Sequence, residues 1–283
     1  MKYTSRFFKT HALLITLFFQ LLYLETSAAK VDTVNVFSDA MQKEIKIVTI
    51  IPDSYTSGKM SYPVLYLLHG YSDSYNGWPN KVPHTKDLAD QYNMIIICPD
   101  GGFSSWYFDS PVDKKFKYET FIATELVNWT DKTFRTIKDR KGRAITGLSM
   151  GGHGGLFLGI KHQDVYGAAG SMSGGVDLRP FPENWDIKKR LGSYAEYPER
   201  WEENSVINLT HLLSNDHLKI IFDCGSYDFF YPANVKLHEK LLERNIPHDF
   251  ISRPGHHNWE YWGNAILYQT LFFHEYFEKS KEQ

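Results

Sequence analysis

From residue 44 onward the chain repeats one pattern: a short apolar run, then a longer stretch whose apolar positions recur every three or four residues. The short runs are 44–51, 64–69, 94–98, 144–148, 168–172, 218–224 and 249–252. Most are continuous rather than alternating, as expected of strands buried on both faces of a parallel sheet. Helical periodicity fits 119–134, 152–162, 232–244 and 258–277. Pro232 suits a first helical turn, and Asn245 followed by Pro247 stops that helix. Alternating strands and helices predict an α/β fold with a mostly parallel central sheet and helices on both faces. Residues 177–217 break the rhythm and are rich in Trp, Pro and Asn, which predicts an inserted partial lid.

The first 29 residues obey a different rule. Lys2, Arg6 and Lys9 precede an apolar stretch, 12–24, and Thr26-Ser27-Ala28-Ala29 offers the small residues a signal peptidase needs. The stretch is shorter than the roughly 20 residues of a membrane span. The expectation is a cleaved signal, with 30–283 as a single domain in the periplasm or the medium and no stable membrane association. Removing residues 1–29 leaves 28 basic against 32 acidic side chains, mildly acidic and without the basic field that nucleic acid requires. A hydrophobic content of 42% over 283 residues is ample for one large core. No pattern in the chain speaks to oligomeric state.

Cys98 and Cys224 each end a strand-like run. Strands several places apart at about 4.8 Å each separate them too far for a disulfide, so both are expected as buried free thiols. No grouping of His, Cys and carboxylates suggests a metal, and no cofactor is expected.

Candidate chemistry concentrates in Gly147-Leu148-Ser149-Met150-Gly151, between an apolar strand and an apolar helix. A serine on such a sharp turn has its Oγ lifted clear of the sheet, and flanking glycines avoid collisions with neighbouring backbone. Serine needs a base, and the base needs an orienting acid. In this arrangement acid and base follow in that order on loops after later strands. Asp228 stands on the loop after the run ending at Cys224, and the positional rule favours it over Asp223, which lies inside the run. After the next strand come His256 and His257, between which spacing alone does not choose. The backbone N–H groups of Met150 and Tyr71 are the expected oxyanion donors. His69 is expected to shape the turn before Tyr71.

These stretches, together with Asn76-Gly77-Trp78, Pro99-Asp100-Gly101, Trp106-Tyr107 and His257-Asn258-Trp259, resemble the esterase family within the α/β-hydrolases. That family includes feruloyl and acetylxylan esterases, tributyrin esterases, S-formylglutathione hydrolases and mycolyltransferases. The resemblance implies an α/β-hydrolase fold and a two-step acyl transfer with Ser149 as nucleophile, Asp228 as orienting acid and no cofactor. Relatives place one variable residue and a tryptophan after the catalytic histidine, which selects His257. Relatives often carry Asp or Ser/Thr where this chain has Asn258.

Aromatic residues crowd the presumed site loops, and such faces suit sugar rings or a phenolic acyl group. Trp106, Tyr107 and Trp259 are the substrate-contact candidates. Glu119 and Glu125 are expected to face solvent or cap a helix. The leading expectation is a secreted serine carboxylesterase acting on acetyl or feruloyl esters of polysaccharide or oligosaccharide. The alternatives are a general short-chain esterase, a formylglutathione-type thioesterase, a mycolyl-type acyltransferase and a catalytically silent carbohydrate-binding module.

Overall fold

The computed structural model describes residues 28–215 and 217–281, so all but the last two residues of the expected signal lie outside the described residues. Eight strands form one sheet: β1 (Lys30–Ser38), β2 (Lys43–Ile51), β3 (Val64–Leu68), β4 (Ile95–Pro99), β5 (Arg143–Gly147), β6 (Ala168–Met172), β7 (Lys219–Gly225) and β8 (Asp249–Arg253). Their order is β1-β2-β4-β3-β5-β6-β7-β8. The β1–β2 and β2–β4 pairs are antiparallel and the others parallel. The continuous apolar runs are explained by burial on both faces. Val64, Tyr66 and Leu68 join one core cluster while Leu65 and Leu67 join the other.

Four long helices cover the sheet. Helix α1 runs without a break through Tyr118–Thr120, Phe121–Leu126 and Val127–Thr133, its middle part wound as a π-helix. Helix α2 is Met150–Lys161, α3 Tyr231–Glu243 and α4 Trp259–Lys281. Helices α1, α2 and α3 pack into one core cluster, whereas Tyr261, Trp262, Ile266 and Phe273 of α4 pack into the other. Residues 177–217 form the β6–β7 crossover and hold the short helices Ile187–Leu191, Pro198–Asn204 and Val206–Leu212.

Three expectations need correction. β1 is a strand that the continuous-run criterion misses. Glu119 is ion-paired to Lys161 at 2.8 Å and accepts from His162 at 3.0 Å, tying α1 to the end of α2. Glu125 accepts from Ser38 Oγ at 2.6 Å and from Ala40 N at 2.7 Å, so it holds the β1–β2 hairpin instead of facing water. Cys98 and Cys224 are free and buried on β4 and β7, and burial pushes both thiols up.

Candidate active site

The turn from β5 into α2 is fixed by close backbone approach. A Cβ on Gly147 or on Gly151 would lie 2.5 Å from the Leu68 carbonyl oxygen, so neither position accepts a side chain. Ser149 between them has φ 55° and ψ −114°, a strained conformation for a residue with a Cβ. Its N–H donates to Met172 O at 2.9 Å, which binds the turn to the end of β6.

The loops after β7 and β8 converge on this serine. Ser149 Oγ lies 2.9 Å from His257 Nε2, and His257 Nδ1 lies 2.8 Å from Asp228 Oδ2. With the proton on Nδ1, the serine hydroxyl donates to the ring and the ring donates to the carboxylate. The Asp228 side chain is fully buried, and its second oxygen accepts the Phe230 N–H at 2.8 Å. Phe229 packs on the imidazole with ring centroids 4.3 Å apart, and Trp262 meets it edge-on at 4.9 Å. The structure thus brings together Ser149, Asp228 and His257. His256 points elsewhere and stacks on Tyr227, centroids 5.3 Å apart.

Asp223, the rejected alternative acid, lies deep in β7. Its Oδ2 accepts from Gln269 Nε2 at 2.7 Å, and burial pushes its carboxyl up to about 7. Gln269 is a hub that the sequence reading missed. Its amide also donates to Ser171 O at 2.8 Å, and its oxygen accepts from Thr146 Oγ1. One α4 side chain therefore bonds to β5, β6 and β7, the strands next to the serine and acid loops. The available signal was a glutamine on the apolar face of a helix.

Met150 opens α2, where a first-turn N–H has no intrahelical acceptor, and Tyr71 borders the cleft beside Gly70. Neither amide donates to a backbone carbonyl outside regular elements among the described residues. A Cβ on Gly70 would come 3.4 Å from Ser149 Cβ, which measures how near this loop lies to the nucleophile. His69 accepts the Gly101 N–H at Nε2 and donates from Nδ1 to Gly70 O, both at 2.7 Å, so it shapes the turn. His153, on α2, is buried between Trp106 and Phe157, and burial lowers its imidazole to about 4.

The cleft above Ser149 has a volume of about 600 Å³, walled by Tyr71, Trp185, Phe229, Trp259 and Trp262, with Asp73 and Lys81 at its polar side. Trp259 is where the sequence reading put it. Trp106 and Tyr107 are not. They are 1% and 0% exposed and border no part of the cleft. Both have positive φ, 54° and 62°. Tyr107 donates to His69 O at 3.0 Å, and the Trp106 indole donates to Trp185 O at 3.1 Å. Trp106 thereby supports Trp185, the insertion residue that stacks on Phe229 at 5.5 Å and 20°. The insertion supplies a wall of the cleft through this ring. Trp262, one helical turn beyond Trp259, completes the wall and was not anticipated.

Among the described residues, no three His, Cys, Asp or Glu side chains converge as a metal site, and no helix is long and apolar enough to cross a membrane.

Known proteins share this sequence pattern and fold. A solved ferulic acid esterase superposes with a TM-score of 0.77 at 30% identity, covering 89% of this chain and all of that one. The acetyl esterase of Caldicellulosiruptor saccharolyticus is 25% identical over 254 residues, 82% of this chain and 94% of its own length. An esterase of Mycobacterium tuberculosis is 36% identical over 133 residues, 46% of this chain, and the match spans only 29% of that larger protein. The sequence profile of the family described as "Putative esterase" matches residues 38–273. With an eight-stranded α/β-hydrolase sheet, the chain belongs to this esterase family and is a carboxylic ester hydrolase.

Proposed function

We propose that this esterase cleaves acetyl or feruloyl esters carried by carbohydrate, outside the cytoplasm, by a Ser149–His257–Asp228 acyl-enzyme mechanism. The observation that carries the reading is the unbroken hydrogen-bonded line from Asp228 through His257 to Ser149, opening into an aromatic-walled cleft. Ser149 Oγ attacks the ester carbonyl as His257 Nε2 takes its proton, and Asp228 holds the imidazole and stabilises its charge. The Tyr71 and Met150 N–H groups receive the oxyanion, each contributing roughly 3 kcal/mol to the transition state. His257 then protonates the leaving alcohol. Water, deprotonated by the same ring, attacks the acyl-enzyme carbonyl and frees the acid.

The aromatic walls favour a planar phenolic acyl group or a sugar face over a long flexible chain. An acetyl esterase and a ferulic acid esterase among the relatives point the same way. Export rests on the charged start, short apolar run and small residues of 1–29. The test is a panel of aryl acetate and butyrate, methyl ferulate and acetylated xylan, with Ser149→Ala as blank. Turnover of ferulate or xylan acetate, lost in the blank, supports the reading. Turnover of activated aryl esters alone rejects the carbohydrate substrate.

A further inference from the structure

A second pocket, of about 470 Å³, adjoins the catalytic cleft, and Asn258 borders both. His256, Asn258, Glu260 and Asn264 line it together with Arg253 and the buried Tyr261. The polar groups have capacity to spare. Asn258 uses only its Oδ1, which accepts the Tyr261 N–H at 3.0 Å and caps α4. The side chains of Glu260 and Asn264 lie one helical turn apart on one face of α4. Arg253 is held with its guanidinium 4.5 Å from the Tyr261 ring and 4.9 Å from the Tyr268 ring.

On the lining residue His256 lies the ring of Tyr227, 67% exposed, at an interplanar angle of 30°. An exposed tyrosine is ordinarily mobile. Here the two loops are joined by Ser226 N to Arg253 O at 2.9 Å and by Tyr227 N to Gly255 O at 3.0 Å. The aromatic face is therefore fixed relative to His257, one residue beyond its stacking partner.

We infer that this pocket, with the Tyr227 ring, is the subsite for the alcohol portion of the substrate, and that it takes a neutral pentose or hexose residue. The inference rests on the carbohydrate reading above and adds to it where the sugar lies. Three arguments carry it. The leaving oxygen must receive its proton from His257 Nε2, so the alcohol departs on the histidine-loop side of Ser149. A sugar presents adjacent hydroxyls that both donate and accept, which the Asn258 Nδ2, the Asn264 carboxamide and the Glu260 carboxylate can satisfy together. Its apolar C–H face suits an exposed aromatic ring. The Glu260 carboxylate disfavours an acidic sugar.

The experiment compares a feruloylated arabinoxylo-oligosaccharide with methyl ferulate, which shares the acyl group and lacks the sugar. Tyr227→Ala and the double variant Glu260→Ala/Asn264→Ala are tested beside the wild type. The ratio of KM for the oligosaccharide ester to KM for methyl ferulate should rise about tenfold in each, as expected for the loss of a stacking face or of one to two hydrogen bonds. An unmoved ratio in the double variant, whose changes lie on exposed helix surface, overturns the subsite while leaving the carbohydrate reading intact. Hydrolysis of methyl ferulate but not of the oligosaccharide ester by the wild type overturns the carbohydrate reading, and the subsite falls with it.

Discussion

Asp223→Asn should make the protein more resistant to unfolding at alkaline pH and leave it nearly unchanged in acid. Asp223 is fully buried on β7, and desolvation raises its carboxyl from 3.8 to about 7, against the opposing influence of Gln269 and Arg253. A carboxyl whose folded pKa is raised contributes its full stability below the unfolded value and loses it as pH climbs through the folded one. The shift is about three pH units, which corresponds to about 4 kcal/mol between pH below 4 and pH above 7. Asparagine keeps the shape and an oxygen for the Gln269 amide but does not ionise. Urea unfolding at pH 5 and pH 8, on wild type and variant, isolates this one group because every other titration is common to both. At pH 8 the variant should be more stable by up to about 4 kcal/mol, and at pH 5 the gap should shrink to about 2 kcal/mol. Equal gaps at the two pH values would refute the burial argument. A variant weaker at pH 8 would mean that the ionised carboxylate is well paired.

Asp228→Asn should lower kcat on methyl ferulate by about 10⁴, through loss of the imidazole tautomer, with KM little changed; a near wild-type rate would remove Asp228 from the machinery. Gln269→Leu strips partners from Asp223, Ser171 and Thr146 at once, at a cost of about 3 kcal/mol, read as a drop of roughly 6 °C in Tm. An unchanged Tm would show that the hub is dispensable. Trp106→Phe deletes the indole donor to Trp185 and should raise KM for methyl ferulate about fivefold relative to that for phenyl acetate. Equal effects on both esters would show that Trp106 does not act through the cleft wall.

Seven of the eight strands are readable as short apolar runs. Burial on both faces is the reason in the central strands β3 and β4, where every residue is buried, whereas the edge strand β8 is only half-buried and is read from Phe250 and Ile251. β1 escapes the same criterion for a physical reason. It is an edge strand whose inward positions include Asp32 and Ser38, while Val31 and Phe37 face outward at 44% and 49% exposure. Its apolar residues therefore follow neither a continuous nor a period-2 pattern. In the site, strand-to-loop order locates Ser149 and Asp228, because topology ties each to the end of a strand. Spacing alone does not choose between the two adjacent histidines. The resemblance to relatives selects His257, and the structure gives the physical reason, with His256 stacked on Tyr227 and His257 turned to Ser149. Trp106 and Tyr107 misled for a related reason. A Gly/Ser-rich loop is read as exposed, yet here it is wound through positive φ at both residues and drives their rings into the core.

Ser149 and His257 are 108 residues apart in sequence, and the imidazole arrives only on the segment that joins β8 to α4. A ribosome releases the serine turn long before the histidine exists. Until β8 and the segment after it have been made and docked, Ser149 lacks the imidazole that the proposed mechanism assigns as its base. On the proposed mechanism, ester cleavage is thereby timed to the completion of folding.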